Sequence, residues 1–347
     1  MVIIFHWIPN AHHFILPFGS WGVELFFVLS GFLITKVLLE SREAAESKKE
    51  SKGSVIRKFL LRRSLRIFPI YYLSLVVILL FDRTNVSGVR DNLFYFFGYA
   101  SNFLYFKTQQ FNFPVAHFWS LAVEEQFYLV WPWFVLFLPW RYVKPFLWCS
   151  IVFGIVSRIY LITAFPSSTV TADVLTPTCF DGFSIGGLFA FYTVKHKSNI
   201  EETIRRINIA GLATFLLMLV FLITDFNKLS VLHRTLDSIF FLALIANAYK
   251  GYTGIAGKVA NNRTLIFLGQ ISYGLYIYHL LTPWLTGIVL NVVSRIKTSL
   301  VITIVSGYRN ATLFPRFTYD FLILLIVSTA SWYLVEKPIN KFKYYFR

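Results

Sequence analysis

The chain has 347 residues, 56% of them hydrophobic, 19% aromatic and only 14% charged, with a formal charge of +16. A water-soluble domain cannot bury that much apolar surface, so the composition excludes a soluble enzyme and points to a polytopic membrane protein. The bases lie in short segments between hydrophobic blocks, so no nucleic acid is expected as a partner; the pattern suits a lipid bilayer, anionic lipid or phosphate-bearing ligands.

The opening stretch, MVIIFHWIPN, lacks a basic n-region and a small-residue cleavage site, so it does not read as a signal peptide. It looks like the second half of a membrane helix. Its apolar residues rise only ~12 Å against a hydrocarbon core of ~30 Å, so either the helix begins upstream of Met1 or this first helix is incomplete. The next apolar segment is 19–39, followed by 40–66, the most basic stretch, predicted to be a cytoplasmic loop. Within it VIRKFLLRRSLR (55–66) mixes apolar and basic residues as an interfacial helix would. Further apolar segments are 67–82, 93–106, 119–139, 146–164, 180–194, 207–224, 231–249, 264–292 and 318–335, giving eleven with 1–9 and 19–39.

Charge arbitrates among them. Stretches 195–206 and 250–263 and the tail EKPINKFKYYFR are predicted to share the cytoplasmic side with 40–66, and 83–92 the opposite face. Crossing from 83–92 to 195–206 requires an odd number of helices, but four apolar blocks intervene, so one does not span; 93–106 and 180–194 are the weakest. The expectation is all-α: a polytopic transmembrane bundle of about ten helices, one domain over 1–347, with both termini cytoplasmic. No internal repeat is evident. Cys149 and Cys179 read as packing thiols, and no metal-ligand spacing is present.

Ionisable residues inside such segments are costly and usually face a bundle interior or a wet cavity. Five clusters stand out: His6, Glu24, the adjacent Glu124 and Glu125, Asp181 and His279. Each has a structural reading. Glu24, one turn from Trp21 on a face thinned by Gly31 and Thr35, can simply hydrogen-bond a neighbouring helix, and Asp181 can cap a helix start. His279 continues a polar stripe with Ser272 and Tyr276. Neighbours on a helix are separated by about 100°, so Glu124 and Glu125 cannot share one partner. Glu124 lies with Ser120 and Tyr128, and Glu125 with Leu121 and Leu129. His6 is the strongest chemical candidate, since a neutral imidazole can take a proton from a hydroxyl.

In order, VIIFHW, GSWGVELFFVLSGFLIT, FLLRRSLRIFPIYYLSL, HFWSLAVEEQFYLVWP, DGFSIGG, LGQISYGLYIYH and VEKP resemble the membrane-bound acyltransferase 3 family over residues 2–338. The resemblance implies an integral membrane enzyme that moves an acyl group, typically acetyl, from cytosolic acyl-CoA to a carbohydrate or glycolipid hydroxyl, such as exopolysaccharide or O-antigen, in a bacterial inner membrane. His6 occupies the position of the family's first-helix histidine, and Arg62, Arg63 and Arg66 that of its cytoplasmic arginine motif. The family's basic residue eleven positions before the histidine has no counterpart at position six, which again implies an upstream start.

These residues suggest a mechanism. Guanidiniums at Arg62 and Arg66, spaced to face one way, would grip the phosphates of acyl-CoA, with Arg63 pointing elsewhere. His6 would deprotonate the acceptor hydroxyl, Glu124 would orient the imidazole, and Trp119 or Tyr276 would supply oxyanion donors. Ser30 and Ser120 lie in the same motifs and leave an acyl-enzyme route open. Two other classes compete: a glycolipid or polysaccharide transporter, which would not consume acyl-CoA, and an inactive scaffold working with polysaccharide assembly proteins.

Overall fold

The computed structural model describes residues 1–8, 18–166, 170, 174–224, 230–296 and 298–346, and every regular element among them is helical. A short α1 (Val2–Trp7) lies against the start of α2 (Phe18–Lys48), with Phe5 over Gly19 and Val2 over Gly22. The two helices therefore run antiparallel, and α1 covers only the first turns of α2.

The expected loop at 40–66 is instead almost wholly helix. α2 continues to Lys48 and α3 spans Lys52–Phe81, leaving three residues between them; the Ser51 hydroxyl caps α3 by accepting from the Ser54 N–H at 3.2 Å. Thirty-one residues rise about 46 Å, more than the bilayer core needs, so the charged ends of these helices project from it. Local ion pairs such as Lys36–Glu40 and Arg42–Glu46, each at i, i+4, favour helix over loop in that projection.

The remaining helices are α4 (Leu93–Phe97), α5 (Ser101–Thr108), α6 (Phe118–Phe137), α7 (Trp140–Ala164), α8 (Phe180–Lys195), α9 (Ile200–Thr224), α10 (Ser230–Lys250), α11 (Gly254–Ala260), α12 (Arg263–Gln270), α13 (Ser272–Tyr278), α14 (Leu281–Val293), α15 (Ser299–Arg309), α16 (Leu313–Ser331) and α17 (Lys337–Lys341). Among the described residues, six helices are long and apolar enough to cross a membrane, or seven if α13 and α14, bent by 55°, count as one span. The shortfall from about ten has identifiable causes. Segment 93–106 is broken into α4 and α5, each too short to cross. α6 has the length, but Glu124, Glu125 and Gln126 dilute its apolar character. α8 is 16 residues long and buried nearly all round, so it is a core helix. Segment 264–292 is cut into α12, α13 and α14, and α15 follows it at Ser299–Arg309.

α8 fits at the centre because glycine removes side chains where it meets α2. A Cβ on Gly31 would stand 2.1 Å from the Phe183 carbonyl oxygen, and one on Gly186 2.0 Å from that of Val28. Such small-residue contacts let helices pack closely where lipid supplies no hydrophobic drive between them. Phe127 stacks on Phe183 at 3.9 Å, locking α6 onto the same core.

The basic segments gather at one end of the bundle. Lys195 pairs with Glu43 at 2.6 Å and lies over Trp140; Arg42 also stacks on Trp140 and donates to the Val135 carbonyl; Lys52 lies over Phe137; and Arg62 reaches the Phe346 carbonyl. Stretches 40–66 and 195–206 and the C-terminal tail therefore share a face, as their charge pattern predicts.

Candidate active site

Three clusters of polar groups in the bundle hold most of the candidate residues. The first is built of imidazoles. His6, at the end of α1, is exposed, whereas His279, between α13 and α14, and His117, at the head of α6, are buried. His6 Nδ1 lies 3.1 Å from His279 Nε2 and 3.1 Å from the Val2 carbonyl oxygen. His279 Nδ1 contacts the Tyr276 carbonyl at 2.6 Å, and the Trp7 indole donates to the His279 carbonyl at 2.8 Å. His117 lies 4.5 Å from His279, ring centre to ring centre, and its Nε2 is 3.0 Å from the Ile277 carbonyl. Tyr276 joins the cluster through its hydroxyl, 2.5 Å from Ser120 Oγ.

The second cluster is a cleft of about 450 Å³ at the basic end of the bundle, lined by α2, the first half of α3 and the C-terminal segment. Lys48, Lys58, Arg62, Arg63, Arg66 and Lys343 face it, with Glu50 the carboxylate among its lining residues. Arg63 joins Arg62 and Arg66 there instead of pointing away, because its long stem swings the guanidinium back over Tyr128, 5.3 Å from the ring centre. Behind Arg63, Glu124 accepts hydrogen bonds from the Ser30 hydroxyl at 2.7 Å and from the Tyr128 phenol. Half-buried Glu125 turns the other way, and its Oε1 has no hydrogen-bond partner among the described residues.

The third cluster is a set of buried ion pairs joining α2, α7, α8 and α10. Glu24 pairs with Arg234 and accepts from Ser238 at 3.1 Å. Asp181 accepts from Arg158 at 2.7 Å and from Thr235 at 2.6 Å, and Arg158 also donates to the Thr178 carbonyl. Trp21 donates to Asp237 at 2.9 Å.

Further expectations therefore change. Glu124 does not orient His6; it belongs with Ser30 and Tyr128 beneath the arginine cleft, and the group that faces His6 is His279. Glu24 and Asp181 are not open to a ligand but are held by Arg234 and Arg158, since a carboxylate buried at this depth demands a counter-charge. Trp119 packs edge-on to Phe27 at 6.2 Å and is not among the residues that line the cleft.

A family model described as an acyltransferase domain matches residues 1–337. The chain belongs to the acyltransferase 3 family. Its long apolar helices and this membership make it an integral membrane protein. Among relatives of this acyltransferase 3 chain, the peptidoglycan O-acetyltransferase OatA of Listeria monocytogenes is 28% identical over 75% of the chain and 44% of its own length. A putative O-acetyltransferase of Staphylococcus aureus (strain COL) is 28% identical over 93% of the chain and 53% of its own length. The O-acetyltransferase OatA of Staphylococcus aureus is likewise 28% identical, over 98% of the chain and 55% of its own length. The chain thus spans about half the length of the curated relatives it matches. No solved structure matches it.

Sequence reasoning missed His117, Arg158, Arg234 and Lys343. His117 was within reach, because it stands three residues before Ser120 and seven before Glu124, on the polar stripe of α6. Arg158 and Arg234 carried a weaker signal: each is a lone cation inside or beside an apolar segment, which calls for an anion elsewhere.

Proposed function

We propose that this chain is the catalytic unit of a membrane O-acyltransferase. It would move an acyl group, typically acetyl, from cytosolic acyl-CoA to a hydroxyl of a cell-surface or lipid-linked carbohydrate. The observation that carries the reading is the polar stripe of α6. His117, Ser120, Glu124 and Tyr128 follow one another at helical spacing, starting in the imidazole cluster and ending under the cation-lined cleft. Eleven residues at 1.5 Å each make the separation about 16 Å. That layout suits a donor whose phosphates and reactive thioester are joined by a long, thin arm.

In this reading the arginines and lysines of the cleft bind the phosphates from the cytoplasmic side, as guanidiniums do well. The thioester lies by His6. Its Nε2 takes the proton of the acceptor hydroxyl while the hydroxyl oxygen attacks the thioester carbonyl carbon. The tetrahedral intermediate collapses with breakage of the C–S bond, and the proton held by His6 passes to the departing thiolate, giving free CoA and the O-acyl sugar. The Tyr276 phenol, paired with Ser120 in the free protein, would turn its hydrogen from the Ser120 oxygen to the oxyanion. Because His6 lies by the first turns of α2, remote from the cations at its other end, the acceptor would approach from the opposite face of the membrane. The Listeria relative carries peptidoglycan in its name, which supports a cell-envelope glycan as the acceptor class.

The test is reconstitution of the full chain in bilayers with acyl-labelled acyl-CoA and a cell-envelope glycan fraction. Expected is release of the CoA thiol matched by an acyl-sized mass increment on the glycan, both lost in His6→Ala. Movement of a glycolipid across the bilayer with no consumption of acyl-CoA would replace this reading with transport.

A further inference from the structure

The imidazole pair holds information about proton positions that follows from its carbonyl partners. A backbone carbonyl oxygen can only accept a hydrogen bond. His279 Nδ1, 2.6 Å from the Tyr276 carbonyl, must therefore carry its proton, which leaves a lone pair on Nε2 in the neutral ring. His6 Nδ1 stands 3.1 Å from the Val2 carbonyl and 3.1 Å from that lone pair, so it too carries its proton and shares it between the two acceptors. The remaining nitrogen of His6, Nε2, then holds the free lone pair on an exposed ring.

From this we propose that His279 is the positioning residue of the reaction, a neutral acceptor that fixes His6 in the tautomer whose Nε2 is the base. The inference rests on the acyl-transfer reading and deepens it. Triads with an acid in this place use a carboxylate to do the same job. In a lipid-embedded pair a carboxylate would favour the protonated ring before any substrate arrived, and a protonated imidazole cannot act as a base. A neutral partner avoids that, yet its lone pair still stabilises the His6 imidazolium as it forms, because a hydrogen bond strengthens when its donor becomes charged. Among the described residues, the other titratable groups facing the pair are the His117 imidazole and the Tyr276 phenol, and no carboxylate hydrogen-bonds either ring.

Three variants of the full chain in bilayers separate this role from a structural one. In His279→Gln the amide oxygen reaches the place of Nε2 and accepts from His6, but the anchor to Tyr276 is lost. In His279→Asn the amide keeps the bond to Tyr276 and cannot reach His6. Expected is a fall in kcat of about 100-fold for His279→Asn and at most about tenfold for His279→Gln, with the KM for acyl-CoA unchanged in both. His279→Glu should move the acid limb of the kcat profile upward by about one pH unit or more. A reversed order of Asn and Gln, equal losses in both, or an unmoved limb would overturn the proposal. Nitrogen-15 NMR of the histidine-labelled protein gives a readout without turnover, with the His6 signal assigned from its absence in His6→Gln. A neutral His6 protonated on Nδ1 supports the assignment, and one protonated on Nε2 refutes it. If wild-type protein consumes no acyl-CoA, the functional reading fails while the spectrum still decides the tautomer.

Discussion

Two polar clusters in this bundle, alike in sequence, are built on opposite physical plans. Around Glu24 and Asp181, each carboxylate has a guanidinium and a hydroxyl, and the charges are compensated in place. Around His6 and His279 the described residues supply no counter-charge, only neutral rings whose protons are directed by backbone carbonyls. The first plan makes a rigid tie among four helices. The second leaves a lone pair available for chemistry. An ionisable residue at bilayer depth thus marks a functional site only when its charge or lone pair has not already been used by its neighbours.

The most severe way to break this comparison is His6→Ala. It should lower kcat by about 10²- to 10⁴-fold, the usual worth of a general base, with unchanged expression, membrane insertion and melting temperature. A comparable loss of stability would place His6 in the scaffold instead. Next is Arg234→Ala, which leaves Glu24 buried without its partner and should destabilise the fold by about 3–5 kcal/mol, read by thermal unfolding in detergent. Activity per folded molecule should survive; if it vanished while the fold held, the ion-pair cluster would belong to the site. A smaller effect sharpens the role of the cleft. Arg62→Ala with Arg66→Ala should raise the KM for acyl-CoA about tenfold, the loss of one charge-assisted contact's worth of binding, and leave kcat nearly unchanged. The smallest is Glu40→Ala, which removes an exposed i, i+4 pair with Lys36 and should cost at most about 0.5 kcal/mol in the same melting assay.

The helical class, the membrane setting and most segment positions were legible because each depends on local composition: long apolar runs must be helices in lipid, where no strand edge can be left open. The grouping of Arg62 and Arg66 was legible for the same reason, as residues one turn apart in one motif on one helix. Partnerships were not. Whether Glu24 is a ligand-binding group or a scaffold residue turns on Arg234, 210 positions away, and the neighbour of His6 is His279, 273 positions away. Helix length was also misjudged at 40–66, where charge was read as loop although ion pairs at i, i+4 continue the helix beyond the bilayer.

By itself the sequence determined that this protein lives in a membrane, that it is made of helices, that its family is acyltransferase 3, and that a histidine and a run of arginines are its candidate functional groups. Only the tertiary structure decided which buried charges cancel one another, that the partner of His6 is an imidazole and not a carboxylate, and that one face of α6 runs from the imidazole cluster to the arginine cleft. The reason is that hydrophobicity and helix formation act over a few neighbouring residues, whereas charge compensation and hydrogen-bond direction depend on groups that meet only after the helices have packed.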